Sequence, residues 1–309
     1  MSELRFDGRT AVVTGAGRGI GAAVARLLAA RGARVVVNDL GSDVGGAGRD
    51  SDPADQVAAS IREAGGLAVA SYADISTEDG AQSAVGAALT EFGGLDILVN
   101  CAGILRPDNI DDIDLAGFQR VTGVHVRGSL LMCRAAWPQL KKQGYGRVVL
   151  TISAGFLGSP GALSYATGKG GIVSLGRSLA RSGAAAGIKV NLFMPSADTR
   201  MIGISSIRNA SGRSAASGAA SKGSPDDVAP LAAFLAHEQV PVSGEMFSAA
   251  NANVSRLFVA ETRGFSAPGR GRVGLEDLRD HWQQVMDTDG YAIPVDSAAH
   301  GRFKSTGAV

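Results

Sequence analysis

The chain has 309 residues, of which 45% are hydrophobic, so it is long for one domain but compatible with a single large α/β unit. Its 30 basic and 29 acidic residues give a net charge of +1, which excludes a strong field for holding nucleic acid or an anionic membrane. The 43 glycines follow no repeat, which excludes a collagen-like chain and favours tight turns between strands and helices.

The N-terminus and the cysteines indicate a compartment. Residues 1–7 contain no apolar signal region, and no apolar stretch is long enough to cross a bilayer. Cys101 and Cys133 lack the spacing of a zinc site or a disulfide framework. We therefore expect a protein of the reducing cytoplasm that acts on a small molecule and binds no metal.

Short runs rich in β-branched residues alternate with helical patterns. Strands are predicted at Thr10–Thr14, Arg34–Asn38, Leu67–Ser71, Leu95–Asn100, Arg147–Ile152, Ile188–Phe193 and Glu245–Ser248. Helices are predicted at Ile20–Arg31, Pro53–Ala64, Ser76–Phe92, Leu115–Gln143, Ser164–Ala186 and Asp226–His237, with Ser76 as an N-cap. This alternation implies a parallel sheet covered on both faces, so the predicted fold class is α/β, a doubly wound sheet of the Rossmann type.

Two later segments depart from this pattern. Ile204–Gly223 is rich in Ser, Ala and Gly and follows a strand, where a substrate lid is plausible and a surface excursion without function is the alternative. The tail contains one helical stretch, Leu275–Met286, and otherwise irregular sequence. We expect a dinucleotide-binding catalytic domain over residues 1–250 and, over 251–309, an extension that packs on it or on a neighbouring subunit.

A glycine-rich string, Thr14–Gly21, follows the first predicted strand and opens the first helix. In this context glycines permit a tight turn and a close approach of the backbone, and the N–H groups of the helix face a pyrophosphate. An ordinary glycine-rich turn is the alternative. The expected cofactor contacts from this string are Gly15, Arg18, Gly19, Ile20 and Gly21.

Asp39 ends the second predicted strand, close to the ~20-residue offset at which an acidic residue binds the adenosine ribose in dinucleotide folds. A carboxylate there accepts from both ribose hydroxyls and repels a 2′-phosphate. NAD is therefore favoured over NADP. Arg18 is the counter-argument, because a guanidinium beside the loop could hold that phosphate.

Further cofactor contacts are expected after the third and fourth strands. Asp74, followed by Ile75, could accept a hydrogen bond from the adenine amino group. Ala102 and Gly103, which follow Asn100, are small and leave room for the cofactor. Without the glycine-rich string, each of these positions would be read as a simple loop.

Tyr165 and Lys169 stand at positions i and i+4 of a predicted helix and therefore share one face. An ammonium beside a phenol favours the phenolate, and a tyrosine of lowered pKa is a suitable base for an alcohol proton. Lys169 can also bind the nicotinamide ribose, and Tyr165 and Lys169 are both expected to contact the cofactor. Ser153, at the end of the fifth strand, could hydrogen-bond the substrate oxygen. These three residues are the candidate catalytic group.

With these motifs in this order, the chain resembles the short-chain dehydrogenase/reductase family over about residues 5–250. The resemblance implies that Tyr165 is the catalytic acid/base, that Lys169 lowers the pKa of Tyr165, and that Ser153 positions the substrate. Many members of the family have an asparagine that relays protons at the position of His125. Both a relay and an ordinary, hydrogen-bonded helix residue are open interpretations of that histidine.

Longer phrases are similar to one subgroup of the family, the dehydrogenase units of multifunctional enzymes. These phrases are Leu4–Arg9, Val37–Gly41, Ala102–Arg106, Val124–Ser129 and Arg134–Pro138. The similarity implies an oxidoreductase that acts on a (3R)-hydroxyacyl-CoA thioester or a hydroxysteroid. Two alternatives stay open: a dehydrogenase for another small alcohol or ketone, and a sensor that binds dinucleotide without turnover.

Two further expectations follow from the same comparison. The Ser153–Tyr165 interval is one residue shorter than the usual family spacing, so the loop between these residues is expected to be tighter. The helices at Leu115–Gln143 and Ser164–Ala186 have apolar faces rich in small residues, and family members generally assemble. We therefore expect a homodimer or homotetramer, with burial inside one chain as the alternative.

Overall fold

The computed structural model describes residues 3–201, 223–267 and 271–306. The chain divides into two compact units, Met1–Arg256 and Leu257–Val309. The segment predicted as a substrate lid, Ile204–Gly223, lies outside the described residues except for Gly223.

The first unit is built on a sheet whose strands come in the order expected of a doubly wound fold. The strands are β1 (Thr10–Thr14), β2 (Arg34–Asn38), β3 (Leu67–Ser71), β4 (Ile97–Asn100), β5 (Gly146–Thr151), β6 (Ile188–Pro195), β7 (Met246–Ala250) and β8 (Asn253–Leu257). Their spatial order is β3-β2-β1-β4-β5-β6-β7-β8, with parallel pairing from β3 to β7. The order reverses between β1 and β4, which is where ligands bind in open α/β sheets.

Helices cover both faces of this sheet. They are α1 (Gly19–Ala30), α2 (Asp52–Glu63), α3 (Glu78–Phe92), α4 (Leu115–Thr122), α5 (Gly128–Gln143), α6 (Leu163–Gly183) and α7 (Pro225–Ala236). Val13 and Val35 pack in one core cluster with α1, α2 and α7, whereas Val12 and Val36, equally buried, lie outside it. Because alternate residues of a strand point to opposite faces, the second pair lies on the other face, where α3 contacts β1 and β2, and α5 and α6 contact the strands from β4 to β6.

A π-helical turn, Gly123–Arg127, interrupts the single helix predicted over Leu115–Gln143 and separates α4 from α5. One extra residue in such a turn shifts the side chains that follow, and these turns occur frequently at functional sites. Here the turn carries His125, which is fully buried.

The predicted N-cap of α3 is wrong by one residue. Thr77, not Ser76, occupies the cap, and its hydroxyl accepts the Gly80 N–H at 3.0 Å. The Ser76 hydroxyl donates instead to the Asp74 carboxylate at 2.6 Å. Both residues suit a cap by type, so only the backbone conformation distinguishes them.

The C-terminal part holds more regular structure than the sequence predicts. The predicted helix Leu275–Met286 is two short helices, α8 (Leu275–Asp280) and α9 (Trp282–Met286), and His281 between them stacks on Phe265 at 4.0 Å. Ser297–Thr306 forms α10 where irregular sequence was expected, and Asp296 accepts the Ala299 N–H at its start. None of the helices in the described ranges is both long and apolar enough to cross a membrane.

Candidate active site

The carboxyl ends of the parallel strands border a cleft of about 1210 Å³. This volume exceeds the ~300–1,000 Å³ of common ligand pockets, so an extended ligand fits. The expected site residues that line it are Gly15, Arg18, Gly19, Ile20, Gly21, Asp39, Asp74, Ile75, Ala102, Gly103, Ser153, Tyr165 and Lys169. The fold therefore brings together residues from the ends of five strands.

The glycine-rich loop forms a cradle in which the backbone packs too closely to admit side chains at Gly15 and Gly21. A Cβ at Gly15 would lie 2.7 Å from the Cα of Ala102, and a Cβ at Gly21 would lie 2.2 Å from the Gly15 carbonyl oxygen. Helix α1, which starts here, has no acidic residue in its first turn and no side-chain cap from Arg18. Its first N–H groups are therefore suited to an anionic group such as a pyrophosphate.

Asp39 lies just beyond β2, and the backbone fixes its carboxylate. One oxygen accepts the Gly17 N–H at 2.8 Å and the other accepts the Gly41 N–H at 2.7 Å. The carboxylate is thereby held beside the glycine-rich loop with lone pairs left over for further donors. This arrangement fits the hydroxyls of an adenosine ribose.

Two guanidinium groups meet at the same end of the cleft. Arg18 lies 3.4 Å from the Ser42 carbonyl oxygen and 3.6 Å from the Asp50 carboxylate. Arg200 approaches the same carbonyl at 3.5 Å, and its pKa is lowered by burial and by the charge of Arg18. Sequence reasoning missed Arg200, although its place just after β6 puts it at the correct edge of the sheet.

Asn100 is the one expected cofactor contact that does not line the cleft. Its amide oxygen accepts the Thr14 hydroxyl, and its amide nitrogen donates to the Ser129 hydroxyl at 2.9 Å. Both ends of the side chain therefore bind protein groups. Asn100 connects the ends of β1 and β4 to α5, and it thereby stabilises the strand ends that border the cleft.

Tyr165 and Lys169 stand in the first turns of α6, with their side chains at the cleft. The Tyr165 ring meets the His125 ring edge-on at a centroid distance of 5.3 Å. A Cβ at Gly155 would come within 3.2 Å of the Tyr165 ring, so the tight loop after Ser153 packs directly on it. The Lys169 ammonium lies 5.7 Å from the centre of that ring and donates to the Thr151 carbonyl at 2.8 Å.

The expected lowering of the Tyr165 pKa is wrong in direction. Burial raises the pKa of Tyr165, and the Ser153 hydroxyl acts against this, whereas Lys169 makes no resolved contribution. The physical reason is that Lys169 is itself only 3% exposed, so burial lowers its pKa to about 8. In the alkaline range where Tyr165 ionises, Lys169 is therefore uncharged and does not stabilise the phenolate. Tyr165 is thus a neutral phenol at pH 7 in this structure.

His125 is held neutral by its surroundings. Its Nε2 atom lies 2.8 Å from the Ile104 carbonyl oxygen, to which it can donate. Burial, followed by the nearby charge of Lys169, lowers the pKa of His125 to about 3. Its Nδ1 atom has no hydrogen-bond partner in the part of the chain that the structure describes.

Neither cysteine has the character of a reactive thiol. Cys101 lines the cleft and accepts the Thr151 hydroxyl at 3.3 Å, and burial raises the pKa of its thiol. Burial also raises the pKa of Cys133 to about 12. Both thiols are therefore protonated at neutral pH, the form that is a poor nucleophile.

A glycine cradle at a helix start, an acidic residue after β2 and a tyrosine–lysine pair after β5 together define a dinucleotide-dependent oxidoreductase. Residues 9–203 match the family model described as short chain dehydrogenase, and the chain belongs to the short-chain dehydrogenase family. Members of this family bind a nicotinamide dinucleotide, which the cradle and the α1 start accommodate.

Similar proteins include both long and short enzymes. Peroxisomal multifunctional enzyme type 2 of Mus musculus is 38% identical over 302 residues, covering 95% of this chain and 38% of the mouse protein. A short-chain type dehydrogenase/reductase of Mycobacterium tuberculosis is 37% identical over 288 residues, covering 92% of this chain and 96% of its own. The chain therefore spans less than half of the mouse enzyme.

A solved structure shows the same fold. Full-length peroxisomal multifunctional enzyme type 2 from Drosophila melanogaster matches 98% of this chain and 50% of its own, with a TM-score of 0.76 and 30% identity. This similarity supports the doubly wound architecture of the first unit.

The buried ammonium of Lys169 should make stability depend on alkaline pH. The lysine pKa is about 8 in the folded protein and 10.5 ordinarily, so the unfolded chain binds more protons between these values. The free energy of unfolding of the wild type should therefore rise, relative to Lys169→Met, by on the order of 1–3 kcal/mol between pH 8 and 10.5. Urea unfolding of both proteins at the two pH values measures this, with exposed Lys141→Met as the control.

Burial of His125 should reduce stability in acid. Its pKa is about 3 when folded and 6.5 ordinarily, so the unfolded chain binds the extra proton as the pH falls below 6.5. Between pH 6.5 and 4.5 the wild type should lose about 2–3 kcal/mol more than His125→Asn. Denaturant titrations of both proteins measure the difference. Equal losses in the wild type and in His125→Asn would contradict the neutral, buried imidazole.

Proposed function

We propose that this protein is an NAD-dependent dehydrogenase that interconverts a secondary alcohol and a ketone, with a 3-hydroxyacyl-CoA thioester or a hydroxysteroid as its substrate. The observation that carries the proposal is that Ser153, Tyr165 and Lys169 share one cleft with the glycine-rich loop. A sensor that only binds dinucleotide has no need of this group of reacting side chains.

The proposed chemistry uses Tyr165 as the acid and base. The substrate oxygen accepts from Ser153 and exchanges a proton with the Tyr165 hydroxyl, while Lys169, held at the Thr151 carbonyl, binds the nicotinamide ribose. NAD supplies the acceptor for the hydride that leaves the alcohol carbon. The π-helical turn holds His125 against the Tyr165 ring and limits the directions in which the phenol can point.

Because Tyr165 acts as an acid in one direction of the reaction and as a base in the other, ketone reduction and alcohol oxidation should depend on pH in opposite ways. Ketone reduction needs the phenol, which is the form present at neutral pH. Alcohol oxidation needs the phenolate, so its rate should rise with pH until Tyr165 is ionised. The structure of the free protein thus supports reduction at neutral pH and oxidation at alkaline pH.

NAD is proposed rather than NADP because of the charges at the adenosine end. The Asp39 carboxylate is fixed by two backbone N–H groups and would repel a 2′-phosphate. Arg18 is already near Asp50, which offsets part of its charge. Arg200 is the remaining argument for NADP, since its guanidinium lies near Ser42 at the same end.

The substrate class is proposed from the relatives and from the lining of the cleft. Leu105, Pro160 and Met194 border the cleft together with Gly155, which supports an apolar substrate. Two of the relatives are multifunctional enzymes of which this chain spans only a part.

We also propose that the protein assembles as a homodimer or homotetramer. Leu115 on α4 is 69% exposed and Leu130 on α5 is 45% exposed, which supports contact with another copy through these helices.

The two unpaired cysteines support the reducing cytoplasm as the compartment of the protein.

Turnover assays with NAD and NADP test this function. Each cofactor is paired with a 3-hydroxyacyl-CoA and with a 17β-hydroxysteroid, and nicotinamide absorbance is followed. Tyr165→Phe should lower kcat by about 10²–10⁴-fold, because it removes the proton donor, while leaving NAD affinity unchanged. Tyr72→Phe, at an exposed position that does not line the cleft, is the control.

Each outcome of these assays decides between functions. NAD-linked turnover that depends on Tyr165 supports the proposal, and the faster substrate selects the class. A preference for NADP would show that Arg18 and Arg200 outweigh Asp39. Tight NAD binding without turnover of either substrate would favour another alcohol or the sensor.

A further inference from the structure

Helix α6 carries Tyr165 and Lys169, yet the residues at its own start provide no cap. Ala162, at the N-cap position, makes no side-chain bond, and the first turn has no acidic residue. The first N–H groups of a helix have no partner within it, and leaving buried ones unpaired is destabilising. Ser164 in this first turn is fully buried, so solvent cannot replace the missing cap.

Asp108, 56 residues earlier in the chain, supplies the missing acceptor. The Ser164 N–H lies 3.2 Å from one oxygen of the Asp108 carboxylate and 3.1 Å from the other, and the Ser164 hydroxyl also donates to it. A carboxylate at a helix N-terminus is further favoured by the helix dipole. Asp108 therefore serves as the cap of α6, although it belongs to the loop that follows β4.

The backbone joins the same two segments. The Asp108 N–H donates to the Gly161 carbonyl at 3.0 Å, and Asp108 pairs with Ala162 in a parallel bridge. Residues 161–164 are therefore held to the loop after β4 by main-chain and side-chain bonds together. That loop also contains Gly103, which lines the cleft, and Ile104, whose carbonyl holds His125.

We propose that Asp108 is a positioning residue for the reaction, which fixes Tyr165 by clamping the first turn of α6. Tyr165 directly follows Ser164, so the direction of its phenol depends on that turn. His125 and Gly155 flank the ring, but neither fixes the start of the helix. This inference rests on the proposed role of Tyr165 as the acid and base, and it assigns Asp108 no contact with substrate or cofactor.

Small displacements of Tyr165 should be costly for the reaction. Proton transfer requires the Tyr165 hydroxyl oxygen and the substrate oxygen to approach within about 2.6–3.2 Å. A displacement of about 1 Å can lower a rate about 100-fold. Asp108 makes no direct contribution to the raised pKa of Tyr165, because neither its charge nor a hydrogen bond from it is among the causes of that shift. Loss of the clamp should therefore lower kcat without moving the pH at which the rate changes.

Asp114 provides a matched control in the same chain. Its carboxylate caps α4 by accepting the N–H groups of Ala116 and Gly117, each at 3.0 Å. The two aspartates thus make similar caps on different helices, and only α6 carries the proposed reacting group. Asparagine is about as good a cap as aspartate, so an asparagine at either position preserves the geometry.

The test compares Asp108→Ala and Asp108→Asn with Asp114→Ala and Asp114→Asn in the full chain. Asp108→Ala should lower kcat by about 10- to 100-fold, with NAD affinity and the midpoint of the pH–rate profile unchanged. Asp108→Asn should recover most of the rate, and Asp114→Ala should retain it. Amide hydrogen exchange should increase at residues 163–166 in Asp108→Ala and stay as in the wild type in Asp114→Ala.

Three results would overturn the proposal. Equal losses of kcat in Asp108→Ala and Asp114→Ala would mean that either cap only stabilises the fold, and a slow Asp108→Asn would exclude positioning through the cap. Unchanged exchange at residues 163–166 would show that no clamp exists. The exchange measurement uses no substrate. If the wild type showed no turnover, the proposed function would be rejected, and the exchange data would still decide whether the clamp exists.

If Asp108→Ala does not fold, Asp108→Glu replaces it. The longer side chain keeps the charge but adds a methylene, so its carboxylate cannot meet Ser164 in the geometry that Asp108 provides. A lowered kcat with faster exchange at residues 163–166 would support the clamp. Wild-type values of both quantities would contradict it.

Discussion

Burial of ionisable side chains at the floor of one cleft is the constraint on which the rest of this site depends. Burial raises the pKa of Tyr165 and lowers those of Lys169 and His125, so each group is driven toward its neutral form. The sheet order, the π-helical turn and the first turn of α6 all serve to bring these three side chains together.

The two ends of the cleft are electrostatically different. Asp39, Arg18 and Arg200 gather around the glycine-rich loop, where a charged cofactor group would lie, while Lys169 is the charged side chain beside Tyr165 and His125 at the reacting end. Membership of the short-chain dehydrogenase family agrees with this division. The loop after β4 links both ends, since it lines the cofactor side and, through Asp108, holds the start of α6.

Features that depend on local periodicity were predictable from the sequence, and those that depend on distant partners were not. Alternating apolar runs located β1 to β7 closely, whereas exposed β8, with little apolar alternation, was missed. The π-helical turn adds one residue within a segment of helical residue types, so the sequence predicted one continuous helix there. The roles of Asn100 and Asp108, and the direction of the Tyr165 pKa shift, depend on neighbours far along the chain and on burial, which only the fold creates.

The most direct measurement of the central claim is the ionisation of Tyr165 in the free protein. Ultraviolet absorbance is titrated with base for the wild type and for Tyr165→Phe, and the difference isolates one of the four tyrosines. Because burial outweighs the opposing hydrogen bond from Ser153, Tyr165 should ionise above the ordinary value of about 10. Ionisation near neutral pH in the absence of cofactor would contradict it, and would mean that Lys169 controls the phenol directly.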